Sequence, residues 1–99
     1  MAKVIWTRQA IGDLEEIGGF IARDSEKYAG IVVAELVESI ERLKKFPLSG
    51  RSIPEVSDEA LREIVKLSYR IMYRVHGDTV TIFTVIHARQ DVQKRIFGM

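Results

Sequence analysis

Leu61–Arg89, LREIVKLSYRIMYRVHGDTVTIFTVIHAR, decides how this chain folds. Within it, Tyr69, Ile71, Tyr73 and Val75 fall on one parity, while Ser68, Arg70, Met72 and Arg74 fall on the other. Such alternation, rich in β-branched and aromatic residues, marks a half-buried strand. His76-Gly77-Asp78-Thr79 supplies a tight turn, because glycine tolerates the positive φ that short hairpins need. A second run follows from Val80 to Ala88. With Gly77 and Asp78 as the two loop residues, Val75 faces Val80, Tyr73 faces Ile82, Ile71 faces Thr84 and Tyr69 faces Ile86. The other side then pairs Arg74 with Thr81, Met72 with Phe83, Arg70 with Val85 and Ser68 with His87. Cross-strand neighbours lie about 5 Å apart. This register predicts an apolar side to pack and a basic side on which Arg70 and His87 lie within reach. A one-residue slip would reverse the faces.

Upstream of the hairpin, Leu61 to Leu67 reads as a further strand, less cleanly alternating because Ile64 and Val65 are adjacent. Pro47 to Glu59, PLSGRSIPEVSDE, holds both prolines, Gly50 and three serines and is expected to be a loop. Glu26 to Phe46 carries an apolar series at helical spacing, Ala29, Val32, Val33, Leu36, Val37, Ile40, Leu43 and Phe46, with basic residues in its last turn and Pro47 to stop it. Arg8 to Ala22 repeats the pattern through Ala10, Ile11, Leu14, Ile17 and Ile21. Its pair Gly18-Gly19 either admits another backbone closely or marks a kink, since each glycine costs about 1 kcal/mol in a helix interior. Thr7 and Asp24-Ser25 offer N-caps. Val4-Ile5-Trp6 is a first short strand, and Asp91 to Phe97 is a short helix or frayed tail. The predicted order is β-α-α-β-β-β in one domain over residues 1–99: an α+β fold with a two-helix hairpin on an antiparallel sheet. The opposite sheet face is expected to be open to solvent or to a partner.

The chain has 99 residues, 46% hydrophobic and 29% charged, as in an ordinary globular domain. It contains no cysteine, so no disulfide or thiolate metal site contributes. No apolar run is long enough for a signal peptide or a membrane span. The net charge of +1 conceals an asymmetry: residues 1–59 carry 8 Lys+Arg and 11 Asp+Glu, whereas residues 60–99 carry 7 and 3. The C-terminal half therefore suits an anionic partner or is simply a solvated charged surface.

No P-loop, dinucleotide fingerprint, His-Glu-x-x-His motif or nucleophile elbow is present. The two histidines lack ligand-spaced partners, so neither a metal nor another cofactor is expected. What remains is a basic set, Arg62, Lys66, Arg70, Arg74, His87 and Arg89. All but Arg62 share one face in the register above. Arginine forks suit phosphate oxygens, and a histidine can exchange protons near neutral pH. His76 reads as a turn residue, and Tyr69 and Tyr73 as packing residues. Met72 and Phe83 interrupt the basic face with apolar area, which marks a partner site or lies beneath the C-terminal tail.

Four segments, AIGDLEEIGGFIA, IERLKKFPLSGR, LREIVKLSYRIMYRV and VTIFTVIHARQD, together resemble the RelE/ParE superfamily of bacterial toxins from type II toxin–antitoxin modules. The resemblance spans nearly the whole chain. It implies the fold read above, a cytoplasmic growth inhibitor with no membrane association, and roles in plasmid stabilization or stress response. It also implies a co-expressed antitoxin, ParD-like or other, whose own N-terminal domain contacts operator DNA, so that DNA is an indirect partner. In the RelE-like branch, which cleaves mRNA on the ribosome without a metal, Arg70 and His87 match the motif arginine and the C-terminal-strand histidine. Arg74 and Arg89 would complete a catalytic set. Ala88, however, stands where some members have tyrosine, and Glu63, the nearest carboxylate, is expected on the apolar face. The His-Ala-Arg ending and the Leu-Arg-Glu-Ile run look more like the ParE branch, associated with poisoning DNA gyrase. The reading is therefore a ParE-like toxin that touches its target through Arg62, Lys66, Met72 and Phe83. A RelE-like endoribonuclease is the alternative, and a non-toxic binding module the third. The antitoxin is expected as a disordered segment that folds on binding. It would lay apolar side chains on the helix hairpin at Leu14, Ile17, Ile21, Leu36 and Ile40, or on an open sheet edge.

Overall fold

A computed structural model describes residues 1–98. The elements are β1 (Lys3–Trp6), α1 (Arg8–Ala22), α2 (Glu26–Glu41) continuing into a 3-10 turn (Arg42–Lys44), β2 (Arg51–Ser52), β3 (Leu61–Lys66), β4 (Tyr69–His76), β5 (Thr79–His87) and α3 (Val92–Phe97). The strands form one sheet in the order β1-β5-β4-β3-β2. β1 runs parallel to β5, and the remaining pairs are antiparallel. The expected α+β arrangement is the one observed, and β1 takes the edge beside β5.

The helix starts follow from their caps. Thr7 Oγ1 accepts the Ala10 N–H at 3.1 Å, and Ser25 Oγ accepts the Tyr28 N–H at 3.0 Å. α1 runs unbroken through both glycines. A Cβ at Gly18 would lie 3.2 Å from Val33 Cγ2, so Gly18 is the member of the pair that lets α1 lie close to α2. α2 ends sooner than its apolar series implies. The Lys45 and Phe46 N–H groups both bond the Arg42 carbonyl, at 3.1 and 3.0 Å, and tighten the last turn ahead of Pro47.

Leu14, Val32, Leu36 and Ile40 from the helices meet Ile71, Tyr73, Val80 and Ile82 from the sheet in the main core. Each such side chain contributes about 1.5–3 kcal/mol by leaving water. The far face is not open, contrary to expectation. Ile53, Leu61, Met72, Ile86 and Val92 form a second, smaller core there. A strap over residues 53–60 and helix α3 cover it. The strap follows β2, which the sequence placed inside a loop. Two residues are too few to show a period, and β2 is defined only by the pairs Arg51–Glu63 and Ser52–Arg62. Beside it, the Gly50 N–H donates to the Tyr73 hydroxyl at 2.8 Å. A Cβ at Gly50 would lie 2.6 Å from the Glu63 carbonyl, so only glycine fits this approach. Among the described residues, no helix is long and apolar enough to cross a membrane.

Candidate functional site

The basic residues singled out by the sequence do not share a surface. The hairpin starts in the expected register, with His76 opposite Thr79, Val75 opposite Val80 and Tyr73 opposite Ile82. Beyond that point Met72 faces Thr84, Ile71 faces Val85, Arg70 faces Ile86 and Tyr69 faces His87. Phe83 is the extra residue of a β-bulge, and it reverses the faces of the rest of β5. Arg70 and Arg74 stay on the far face. His87 turns to the helix side, where its ring meets Tyr69 edge-on with centroids 5.6 Å apart. Arg62 pairs with Tyr73 and Lys66 with Tyr69, so both also lie on the helix-side parity, away from Arg70. Arg89 is exposed in the turn after β5. The expected common face of Lys66, Arg70, Arg74, His87 and Arg89 is thus overturned: the inserted Phe83 turns His87 away, the two-residue turn at Leu67-Ser68 sets Lys66 opposite Tyr69, and Arg89 lies past the end of β5.

The bulge has identifiable supports. β5 extends past the end of β1, so its outward backbone groups need other partners. Thr7 donates its N–H to the Ile82 carbonyl at 3.0 Å and its hydroxyl to the Phe83 carbonyl at 3.2 Å. Buried Asp13 of α1 accepts the Thr84 hydroxyl at 2.6 Å and the Val85 N–H at 2.9 Å. Its other oxygen accepts from Gln9 Nε2 at 2.7 Å and from Arg95 Nη1 of α3 at 3.0 Å. One carboxylate therefore joins α1, β5 and α3. The available signal was an aspartate one position before Leu14 on the core side of α1, next to the apolar series.

Arg70 is not a free phosphate clamp. Its Nε donates to Glu63 Oε1 at 2.7 Å, and its Nη1 and Nη2 donate to the two oxygens of Glu55 at 2.9 and 2.7 Å. Arg51 completes the chain on Glu63 Oε2, through Nε at 2.8 Å and Nη2 at 2.7 Å. The hydrogen bonds from Arg70 hold the Glu55 carboxyl below the usual carboxylate range. Glu55, then Glu63, in turn raise the affinity of the guanidinium for its proton. Glu63 was expected on the apolar face beneath the helices, but it pairs with Met72 and shares the far face with Arg70. Arg74 is more exposed and sits 3.5 Å from Asp58. This network ties the strap to the sheet.

Met72 and Phe83 were read as an exposed partner patch or as covered by the C-terminal segment. Met72 is fully buried and Phe83 half-buried, within the cluster that includes Val92 and Ile96 of α3, so the cover is real. Arg62 is turned to the chain itself, donating to the Gly50 carbonyl at 2.8 Å. Of the residues expected to meet an antitoxin, Leu36 and Ile40 are fully buried beneath the hairpin and Leu14 is nearly so. Ile17 and Ile21 are half-buried against the same core. No group of three potential metal ligands occurs among the described residues.

Besides a hollow between α2 and β3 at Ser39, Arg42, Ile64 and Lys66, the helix side carries two concavities along α1 among the described residues. A shallow groove crosses the hairpin along Leu14, Gly18, Ala29, Gly30 and Val33. A deeper cleft of about 570 Å³ opens between the C-terminal half of α1 and the end of the β4–β5 ribbon. Phe20 and Tyr69 are among its walls, together with His87, Gln90, Glu16 and Arg23. His87 Nδ1 accepts the Arg89 N–H at 3.2 Å, so in the neutral ring the proton sits on Nε2.

Comparison with known proteins gives a consistent result. Residues 4–92 match the family described as ParE toxin of type II toxin–antitoxin system, parDE. The candidate toxin Y4kP of Sinorhizobium fredii is 37% identical over 90 residues, covering 89% of this chain and 90% of that protein. Toxin RelE2 of Caulobacter vibrioides is 33% identical over 89 residues, covering 89% and 97%. Among solved structures, a chain of the chromosomal ParDE system from P. aeruginosa superposes with a TM-score of 0.71 at 22% identity, covering 88% of this chain and 96% of that one. A chain of the RelBE2 toxin–antitoxin complex from Mycobacterium tuberculosis gives 0.63 at 25%, covering 87% and 96%.

Proposed function

The chain belongs to the ParE toxin family of type II toxin–antitoxin systems, and from that premise we propose that it inhibits growth by binding a macromolecular protein target, with DNA gyrase as the expected one. The observation that carries this reading is the occupied guanidinium of Arg70. Its Nε, Nη1 and Nη2 are each spent on a carboxylate, and His87 lies on the opposite side of the sheet. Phosphodiester cleavage needs a proton-transfer group and positive charge converging on one phosphate. A chain that separates them is better suited to recognition than to cutting RNA. In a supercoiling assay with purified gyrase, the protein should inhibit or trap gyrase-dependent cleavage of plasmid DNA. Unimpeded supercoiling at excess protein would remove gyrase as the target. The similarity to Toxin RelE2 keeps a second reading, a ribosome-dependent endoribonuclease. Primer extension on ribosome-bound message would show new ends under that reading and none under the first.

An antitoxin completes the proposal. Because Leu36 and Ile40 lie under the helices, its apolar side chains would follow the groove at Gly18, Ala29, Gly30 and Val33 instead. A second place is the outer edge of β3 over residues 64–66, ahead of Arg51 where β2 begins and Val65 is exposed. Co-expression with the product of an adjacent small reading frame should give a stable complex. Hydrogen exchange in that complex should slow across residues 14–33 or 63–66. Exchange unchanged in both segments would move the antitoxin elsewhere.

A further inference from the structure

The cleft between α1 and the end of the β4–β5 ribbon has no part in the gyrase reading above, yet it has the composition of a ligand site. Its volume of about 570 Å³ lies within the range of small-molecule pockets, ~300–1,000 Å³. Aromatic rings stand on both sides. Phe20 projects from α1 and is 69% exposed, with the Arg23 guanidinium 5.9 Å from its ring centre. Tyr69 and His87 stand opposite on the sheet.

The polar groups are arranged by sign. Glu16 and Arg23 have no ion-pair partner among the described residues, whereas Asp13 and Arg95 deeper in the cleft satisfy each other. Seven residues separate Glu16 from Arg23, a rise of about 10 Å along a helix. An acceptor and a cation thus line the same cleft two helical turns apart, the cation beside the Phe20 ring. Two donors line the same cleft from the sheet side. In the neutral ring His87 keeps its proton on Nε2, and Gln90, whose Oε1 accepts the His87 backbone N–H at 2.9 Å, keeps its amide NH2 available. A carboxylate beside hydrogen-bond donors reads a ring edge that offers adjacent N–H groups and a carbonyl. Stacking walls read a flat ring, and an arginine reads a phosphate.

We propose that this cleft binds a guanine nucleotide, its base held between Phe20 and the Tyr69–His87 pair with its N–H edge towards Glu16, and its phosphate towards Arg23. The site lies on the opposite side of the sheet from Arg70; it is separate from the gyrase reading and shares only His87 with the residues of the RNA-cleavage reading. A lone aromatic side chain from a partner protein would leave much of the volume empty and would match neither charged end. The ligand can be a free mononucleotide or the terminal nucleotide of a single-stranded RNA, which present the same chemistry.

The test is a titration of the full chain with guanosine 5′-monophosphate, followed by amide chemical shifts. Adenosine 5′-monophosphate, inorganic phosphate and a short RNA ending in the guanosine nucleotide run in parallel. The expected result is saturable change confined to residues 16–23, 69, 87 and 90, weaker for the adenine nucleotide and absent for phosphate alone. Phe20→Ala and Glu16→Gln, both at exposed positions, should each weaken binding by about tenfold or more with unchanged unfolding midpoints. Tighter binding of the RNA than of the free nucleotide identifies an RNA end as the source, and equal or weaker binding identifies the free nucleotide. No saturable change, changes mapping elsewhere, or equal affinity in both variants would overturn the assignment.

Discussion

Replacing Arg70 separates a structural role from a catalytic one. In Arg70→Ala, Glu63 keeps only Arg51 as a partner, and the two side chains are 0% and 59% exposed. Glu55, at 38% exposed, is released largely into water and adds little. Removing one partner of a buried ion pair costs about 3–5 kcal/mol, because the other charge stays behind. The remaining Arg51 contact argues for the lower end, about 3 kcal/mol. A domain of this size has about 5–15 kcal/mol in all. At about 4–8 °C per kcal/mol, the melting temperature should fall by about 12–24 °C. Urea unfolding followed by far-ultraviolet circular dichroism measures this directly, with the m-value as a check on two-state behaviour. The double variant Arg70→Met/Glu63→Met removes both charges and should recover most of the loss, as apolar replacement of buried pairs often does. A midpoint for Arg70→Ala within about 0.5 kcal/mol of the parent, the usual range for surface substitutions, would refute the reasoning. Arg70 would then be available for work at the surface, and the nuclease reading would regain its central residue.

Other perturbations probe the remaining joints. Asp13→Ala strands the Thr84 hydroxyl and the Val85 N–H, each worth about 1–3 kcal/mol when buried without a partner; hydrogen exchange at Val85 and along α3 should accelerate together, and slow exchange in α3 would show that Arg95 docks it by other means. Gly50→Ala forces a methyl to within 2.6 Å of the Glu63 carbonyl and should cost about 1–3 kcal/mol in a thermal melt, whereas an unchanged melt would mean that the segment before β2 shifts freely. The Glu55 carboxyl sits below its ordinary value of 4.5 in the folded state, so its contribution is fully present above that value and is lost as pH falls through the lowered one. Strap proteolysis should therefore rise in acid for the parent, with Glu55→Gln already at the acid level near neutral pH; parallel profiles would exclude this carboxylate as the strap's fastening.

Most of the fold was legible because it rests on periodic signals. The stripes from Ala10 to Ile21 and from Ala29 to Ile40, the alternation from Tyr69 to Val75 and the Gly77-Asp78 turn each define an element without outside help. The working surface was not legible, because it depended on parity carried through ten strand residues. One inserted residue at Phe83 undoes that count, and alternation in β5 continues past the bulge with no visible break. The causes of the bulge, Thr7 and Asp13, lie 76 and 71 residues upstream of the groups they hold. Glu55 was hidden for a similar reason. A carboxylate in an irregular segment has no period to place it, and only the folded strap brings it to Arg70. The split of His87 from Arg70 was therefore beyond a local reading, although the family resemblance was not.

β1 has a partner that lies far along the chain. Lys3 pairs with Thr79, 76 residues later. During synthesis at about 5–20 residues per second, this parallel edge has nothing to add to for several seconds. Hairpins β3–β4 and β4–β5 close over short loops and can organise early, whereas the β1–β5 contact must wait for nearly the entire chain. Any partner that recognises that edge therefore meets a finished molecule and never a half-made one.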